Sequence, residues 1–418
     1  MPVLGHQADG VVTAGVGSVP DRVVVVGASA AGLATAESLR RLGYEGEITL
    51  VGNEPHLPYD RPPLSKQILT GELDPDGLLL RGRADLDALG LDLRLGETAT
   101  GVDLPGRTVT LASGTTVGYD ALVVATGARA RRLPGTEGVR GVHVLRTLED
   151  ALTLRERLRP GRRLVVVGAG FIGAEVAAAA RGLGLLVTML EPAQVPLAHA
   201  VGAAVGRTLT RAHRDHGVDL RTGVTVDGVL SRGGEVTGVR LSDGSEVAGQ
   251  DVVVGIGSRP NTEWLAGSGL PLDDGLVCDE HCMAAPRVYA AGDVARWHNP
   301  LFGATMRIEH RTNAAEQGLA VARNLLGARR PFAPVPYFWS DQYDLKIQAY
   351  GHLRGHDKVE IVDGDLDSRR FLAAYRNGDH LAGVVAVNTP PKTVRAWRSA
   401  IATRQPWSAA VGNTRASA

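Results

Sequence analysis

The stretch RRLVVVGAGFIGAEVAAAARGLGLLVTMLEP, Arg162 to Pro192, decides the fold. Its Leu-Val-Val-Val run reads as a strand buried on both faces of a parallel sheet. Gly168-x-Gly170-x-x-Gly173 follows at once, with Phe171 and Ile172 between the last two glycines, and then an alanine-rich helix. A second strand ends at Glu191, 23 residues after Gly168. Strand, glycine turn, helix and strand make a dinucleotide-binding unit. The turn brings backbone N–H groups close to a pyrophosphate, and the positive end of the helix faces it. A carboxylate at the end of the second strand can accept both hydroxyls of an adenosine ribose and repels a 2′-phosphate. Glu191 therefore favours NADH over NADPH.

The same device stands 141 residues earlier, in RVVVVGASAAGLATAESLRRLG, Arg22 to Gly43. Four valines lead into Gly27, Ser29, Ala30, Ala31 and Gly32, with serine in place of the middle glycine. A following strand, EITLVGNE, ends near Glu54. One glycine turn is weak evidence, because such turns also serve packing; two in the same context predict two dinucleotide sites. Three further segments suggest that the second dinucleotide is a flavin. DALVVATGAR is a buried strand ending at Thr126-Gly127, and QDVVVGIGSRPNT is a similar strand ending at Gly255-Ile256-Gly257. RVYAAGDVA sets Asp293 just past a strand and a glycine, where its carboxylate can accept from a ribityl hydroxyl.

Bulk properties bound the rest. A chain of 418 residues suggests two or three domains. Hydrophobic content of 44%, charged content of 22% and zero formal net charge leave no global signal for nucleic acid. No apolar run approaches the roughly 20 residues needed to cross a bilayer. The N-terminal MPVLGHQADGVVTAGVGSVP lacks the basic and apolar regions of a signal peptide, so a flexible extension over residues 1–20 and a cytoplasmic protein are expected. The two cysteines, Cys278 and Cys282, are too few for a disulfide framework or a zinc site, and no metal is expected.

These segments together resemble the two-dinucleotide flavoproteins of the glutathione-reductase superfamily. PYDRPPLSK (Pro58–Lys66), RTLED (Arg146–Asp150) and PYFWSDQYDLKIQAYG (Pro336–Gly351) narrow the resemblance. They are similar to the putidaredoxin reductase-like, NADH-dependent ferredoxin reductases that supply haem-thiolate monooxygenases and aromatic-ring dioxygenases. The resemblance runs from about Arg22 to at least Arg404. It implies an α/β fold with two Rossmann-like domains, a discontinuous FAD domain with an NAD domain inserted, and a C-terminal α/β domain. The implied spans are 21–120 and 253–331 for FAD, 121–252 for NAD and 332–418 for the last domain. It also implies that the FAD pyrophosphate sits on Ser29, Ala30 and Ala31, and that Arg61, Lys66, Ala99, Arg146, Asp293, His310, Arg311 and Trp339 contact FAD. Glu191, the second glycine turn, Gly257 and Glu309 are the implied NAD contacts. Where the family has an acidic pair for the adenosine ribose of FAD, this chain has Asn53-Glu54.

The prolines of PYDRPPLSK stiffen a loop that ends in Lys66. A lysine near a flavin stabilises the negative charge that arrives with a hydride. The resemblance pairs Lys66 with Glu175, two residues past Gly173, where nicotinamide and flavin meet. Read alone, Lys66 is equally a solvated loop residue and Glu175 a partner for a helix dipole. The region from Gly27 to Lys66 contains no cysteine, so electrons are expected to leave directly rather than through a thiol relay. In RIEHRTNAAEQGLAVARNLLG, Arg307 to Gly327, Asn313-x-x-Glu316 reads as a capping-box start and Gly327 as the stop.

The expected electron acceptor is a 2Fe-2S ferredoxin. Ferredoxins are usually acidic, and KTVRAWRSAIATR, Lys392 to Arg404, has four basic residues and no acid. Lys392, Arg395 and Arg398 would share one helical face with Trp397 beside it, a candidate dock; the alternative is a solvated face. Two other functions fit the motifs: an NADH-dependent reductase of a small acceptor such as a quinone, dioxygen or ascorbyl radical, and a non-catalytic NADH-sensing interaction module.

Overall fold

A computed structural model of the chain describes residues 19–415. The extension expected over residues 1–20 lies, up to residue 18, outside the described residues.

Both valine-rich runs become central strands. The first sheet has six strands in the order Met283–Ala285, Val288–Ala290, Ala121–Val124, Arg22–Val26, Glu47–Gly52, Asp92–Leu95, all parallel except the Met283–Ala285 edge. Val23 to Val26 are at most 3% exposed, as an all-apolar run covered on both faces requires. The second sheet is wholly parallel, in the order Asp219–Thr222, Leu186–Glu191, Arg163–Val167, Asp251–Val254, Val142–His143. Strand Val288–Ala290 returns to lie beside Ala121–Val124, so the second sheet is inserted between two neighbours of the first.

The C-terminal module is a five-stranded antiparallel sheet, in the order Tyr337–Gln342, Leu345–Gly351, His380–Val387, Arg370–Asn377, Lys358–Asp365. Alternation along its strands gives it two apolar faces. Phe371, Tyr375, Ile347 and Val385 share a core with Val201, Val205 and Leu209 of the Ala198–Asp215 helix, which belongs to the inserted unit. Leu372, Ala374, Val384 and Ala386 pack on Val394, Trp397 and Ile401 of the Pro391–Ala402 helix. The fold is therefore α/β with two dinucleotide-type sheets, one inserted in the other, and a C-terminal α/β module.

A third shared core explains how the proline loop is held. Tyr59, Leu64, Ile68 and Leu69 pack with Leu164, Val166, Val176 and Val187 of the second sheet and its helix, and with Leu148, Ala151 and Leu154 of the connecting Leu148–Arg157 helix. A segment that follows the first nucleotide unit in sequence is thus anchored on the second.

Two local expectations fail. The helix around Asn313 spans Arg311–Leu325 with His310 as its N-cap, so Asn313 is inside the first turn rather than at the cap. Its side-chain amide donates to Ile308 O at 3.4 Å and Gln317 Oε1 at 3.4 Å, and Glu316 instead faces Arg398 at 3.3 Å. Gly327 does mark the end, with φ +97° and its N–H donating to Asn324 O at 3.0 Å. Trp397, expected beside the basic face of Lys392, Arg395 and Arg398, is instead 8% exposed in the core beneath them. Its spacing from Val394 and Ile401 puts it on the buried stripe.

Candidate active site

The two glycine turns are the same structure built twice. Gly27 N donates to Val51 O at 2.7 Å and Gly168 N to Leu190 O at 2.8 Å. Ala125 N donates to Val26 O at 2.7 Å and Gly255 N to Val167 O at 2.7 Å. Gly27 and Gly168 have φ of +120° and +98°, and a Cβ on either would strike a backbone oxygen, that of Ala125 at 2.0 Å or of Gly255 at 2.4 Å. Gly32 and Gly173 lie against Gly27 O and Gly168 O, where a Cβ would come within 1.8 Å and 2.1 Å. The outer glycines are therefore demanded by the chain's own packing. Gly170 is different: it has an ordinary N-cap backbone, and a Cβ there meets no atom within 4 Å. The chain's own packing does not require glycine at this position, and the open space there has room for the close approach of a pyrophosphate.

The helices behind the turns, Ala30–Arg41 and Phe171–Gly182, begin at Ser29 and Gly170. The Ser29 side chain does not close on its helix, Gly170 has none to do so, and neither first turn carries an acid, so both N-termini suit an anion. Ile172 and Ile256 are 45% and 38% exposed beside the second turn, an apolar rim for a flat ligand.

At the second turn Glu191 closes the site. Its Oε2 accepts from Ala169 N at 2.8 Å and its Oε1 from Ala193 N at 3.0 Å, so the carboxylate is fixed at the strand end. At the first turn the backbone pairing makes Gly52, the residue after Val51, the equivalent of Glu191. A Cβ on Gly52 would press Ala28 Cβ at 2.7 Å, so a carboxylate cannot stand there. Glu54 lies two residues further on. Its carboxylate accepts from Arg61 Nη2 and from Tyr59 OH, each at 2.5 Å.

Further charged contacts lie beyond Glu54. Arg61 Nη1 donates to Arg146 O at 2.6 Å, and Arg146 Nη2 donates to Asp293 Oδ2 at 2.8 Å. Arg311 Nε pairs with Asp60 Oδ1 at 2.5 Å. Lys66 Nζ meets Glu175 Oε2 at 2.8 Å, with side-chain exposures of 13% and 5%. Lys66 follows the short 3₁₀ turn Pro62–Ser65, and Glu175 lies near the start of the Phe171–Gly182 helix, so the pair joins the proline loop to the inserted unit. His310, the N-cap of the Arg311–Leu325 helix, keeps its Nδ1 buried without a hydrogen-bond partner among the described residues, and burial pushes its imidazole down to about 4. An orphaned donor or acceptor beside an uncapped helix N-terminus fits a bound polar ring edge.

The remaining expected residues occupy the borders. Thr126 Oγ1 donates to Asn261 O at 2.8 Å, linking the two segments that pass between the sheets. Ala99 begins the strand Ala99–Asp103 and packs on the first core. Gly257, with φ +94°, precedes Ser258, whose hydroxyl donates to Glu309; Arg307 also reaches Glu309, at 2.5 Å. Trp339 stacks on Tyr337 at 5.9 Å, and Tyr337 on Tyr350 at 4.6 Å. Alternation puts these rings on the opposite strand face from Phe338 and Ser340. Phe338 packs between Phe171 at 4.8 Å and His310 at 5.1 Å, and Ser340 Oγ donates to Glu175 Oε1 at 2.7 Å. Phe338, Ser340, Ser65 and Asp60 were not singled out in the sequence, although each lies inside a quoted motif.

Cys278 and Cys282 are buried against the first sheet. Desolvation pushes the Cys278 thiol up and the Cys282 thiol up to about 12, so neither is a ready nucleophile. Among the described residues, no cluster of His, Cys, Asp and Glu could hold a metal, and no helix is long and apolar enough to cross a membrane.

Comparison with known proteins agrees with this geometry. Residues 21–318 match the pyridine nucleotide-disulphide oxidoreductase family, and residues 337–415 match the reductase C-terminal family. Rhodocoxin reductase of Rhodococcus erythropolis is 39% identical over 92% of this chain and 90% of its own. Putidaredoxin reductase of Pseudomonas putida is 38% identical over 88% of this chain and 89% of its own. The solved covalent complex of putidaredoxin reductase with putidaredoxin superposes with a TM-score of 0.90 at 36% identity, covering 95% of this chain and 99% of the solved one. The chain belongs to the pyridine nucleotide-disulphide oxidoreductase family, among its ferredoxin–NAD(+) reductases of the putidaredoxin reductase type.

Proposed function

We propose that the protein couples oxidation of NADH to one-electron reduction of a 2Fe-2S ferredoxin, with FAD as resident cofactor, in the service of a haem-thiolate monooxygenase or a ring-hydroxylating dioxygenase. The observation that carries this reading is the Lys66–Glu175 pair at 2.8 Å, which joins the proline loop to the second nucleotide helix. Bound FAD supplies the exchange between two-electron hydride chemistry and one-electron transfer.

The chain's own residues bind and orient. Gly27, Ser29, Ala30, Ala31 and Gly32 hold the FAD pyrophosphate on the Ala30–Arg41 helix, and Glu54, Ala99 and Thr126 border the adenosine end. Arg61, Arg146, Asp293, His310, Arg311 and Trp339 line the rest of that site. Gly168, Gly170, Phe171, Ile172 and Gly173 hold the NADH pyrophosphate, Glu191 accepts the adenosine ribose hydroxyls, and Gly257 and Glu309 border the nicotinamide end. Lys66 places positive charge where hydride charge arrives, and Glu175 keeps the ammonium in position. With both thiols buried and basic, electrons leave without a sulfur relay. The units follow the spans 21–120 with 253–331, 121–252 and 332–418, and the protein works in the cytoplasm.

The ferredoxin docks on the Pro391–Ala402 helix through Lys392 and Arg395, with Arg398 shared with Glu316. Supporting this, the Pro391–Ala402 helix packs through Val394, Trp397 and Ile401 in the same core that Tyr350, the end of the Trp339–Tyr337–Tyr350 stack, packs against.

The test is a steady-state assay of the FAD-loaded protein with NADH or NADPH. Fast cytochrome c reduction that requires a 2Fe-2S ferredoxin and prefers NADH is the expected result. Equal turnover with a quinone or dioxygen, indifferent to ferredoxin, would replace this reading with a small-acceptor reductase.

A further inference from the structure

Glu175 is a junction of three parts of the molecule. Its carboxylate takes Lys66 Nζ at 2.8 Å and the Ser65 hydroxyl from the proline loop, and Ser340 Oγ at 2.7 Å from the C-terminal sheet. Ser340 is 0% exposed, and its oxygen lies 3.1 Å from Gln342 Nε2. Gln342 Oε1 lies 3.2 Å from His213 Nε2, and His213 Nδ1 lies 2.9 Å from Tyr343 OH. Gln342 and His213 are 1% and 4% exposed, and Tyr343 at the outer end is half-buried.

Proton placement along this chain has one consistent solution. A carboxylate paired with an ammonium only accepts, so Ser340 spends its single proton on Glu175. Ser340 must then accept from the Gln342 amide, which turns Gln342 Oε1 toward His213. That oxygen needs a donor, so His213 carries its proton on Nε2 and its Nδ1 accepts from Tyr343. Every donor thus points toward Glu175. Tyr343 opens the two-residue turn between Tyr337–Gln342 and Leu345–Gly351, which accounts for its left-handed backbone, φ +56°, and its ring is stacked on His216 at 3.8 Å. Packing two apolar faces needs none of this; a fully satisfied polar chain specifies geometry.

We propose that Ser340, Gln342, His213 and Tyr343 form a positioning chain through which the C-terminal module and the Ala198–Asp215 helix fix Glu175, and through it the Lys66 ammonium. The proposal rests on the reading of Lys66 and Glu175 as the pair at the meeting point of nicotinamide and flavin. The chain moves no proton in the reaction, because the Gln342 amide does not relay one. It holds a charge in place, so its loss lowers the rate at saturating NADH and leaves KM unchanged.

The experiment uses the FAD-loaded protein and anaerobic rapid mixing with NADH. Ser340→Ala is expected to slow flavin reduction roughly tenfold, the loss of one hydrogen bond to a charged group, and His213→Leu, which leaves the Gln342 amide without its partner, to slow it by roughly threefold or more. Ser340→Thr and His213→Gln, which keep a donor, are expected to recover most of the rate. Glu175→Gln is the control. A slow Glu175→Gln with Ser340→Ala and His213→Leu at the wild-type rate would overturn the positioning chain alone. A Glu175→Gln that reduces at the wild-type rate would overturn the reading of the ion pair and the chain with it. An independent readout needs no turnover: the imidazole nitrogen NMR shifts of His213 in the unsubstituted protein. Protonated Nε2 with unprotonated Nδ1 is expected, and the reverse tautomer would overturn the proposal.

Discussion

Replacing Glu191 separates its two roles at the second nucleotide site. The carboxylate is held by Ala169 N at 2.8 Å and Ala193 N at 3.0 Å, so its position does not depend on ligand. In Glu191→Gln the side chain keeps its length, and its oxygen can still accept from Ala169 N, but the charge is gone. Of two ribose hydroxyls that would donate to the carboxylate, one is left with a neutral amide oxygen and the other faces an NH2 group that cannot accept, a loss of about 1–2 kcal/mol. That is roughly 5- to 30-fold in KM for NADH. Removing a negative charge about 5 Å from a 2′-phosphate, at an effective dielectric of about 40, relieves about 2 kcal/mol for each phosphate charge. KM for NADPH should therefore fall by roughly tenfold or more while that for NADH rises. Glu191→Ala also frees Ala169 N and Ala193 N, and should weaken NADH further, by about 2–3 kcal/mol in total. Steady-state kinetics with both coenzymes and saturating acceptor measures the two shifts. An unchanged NADH KM in both variants, or a ratio of NADH to NADPH efficiency that does not move, would refute the assignment of Glu191.

Three other outcomes are expected. Gly32→Ala brings a Cβ to within 1.8 Å of Gly27 O, so the first nucleotide helix must shift; FAD content should drop and stability should fall by about 1–3 kcal/mol, read from flavin absorbance and thermal melting. Lys392→Glu combined with Arg395→Glu should raise KM for an acidic ferredoxin at least severalfold at low salt and flatten its ionic-strength dependence, while NADH-driven ferricyanide reduction is unchanged; an unaltered salt profile would remove this helix from the dock. Burial pushes the His213 imidazole down to about 4, below the ordinary value near 6.5, so the unfolded chain binds the extra proton first. This contribution to stability is full above pH 6.5 and is lost as pH falls toward 4; by pH 5.5 the loss amounts to about 1.4 kcal/mol, and a pH series of melting curves should show wild type losing about that much more stability than His213→Gln between pH 8 and pH 5.5.

What could be read from sequence was what is covalently local. The spacing of Gly27, Gly32, Gly168 and Gly173 is fixed by contacts inside each turn, and the structure gives each a specific oxygen that excludes a side chain. Glu191 was legible for the same reason, since its strand is paired to the turn it serves. Residues brought together from distant segments were not. Nothing in PYDRPPLSK says that Tyr59, Leu64 and Ile68 share a core with the inserted unit, yet that packing carries Lys66 to Glu175. Ser340 lies in a quoted motif whose aromatic residues drew the eye, but strand alternation turns Ser340 and Trp339 to opposite faces. Asn313 misled because the capping pattern is a sequence of polar groups that recurs inside helices; here His310 holds the extended N-cap backbone and the helix starts at Arg311. Trp397 misled because a three-residue spacing describes the basic stripe and the apolar stripe beside it equally well.

The most direct test of the account is to mix the NADH-reduced protein with oxidised 2Fe-2S ferredoxin without oxygen and follow the visible absorbance of the ferredoxin at low and high salt. The account predicts rapid reduction of the iron–sulfur centre, two ferredoxins for each NADH, slowed by salt. A ferredoxin that stays oxidised while a quinone or admitted oxygen promptly reoxidises the protein would contradict it.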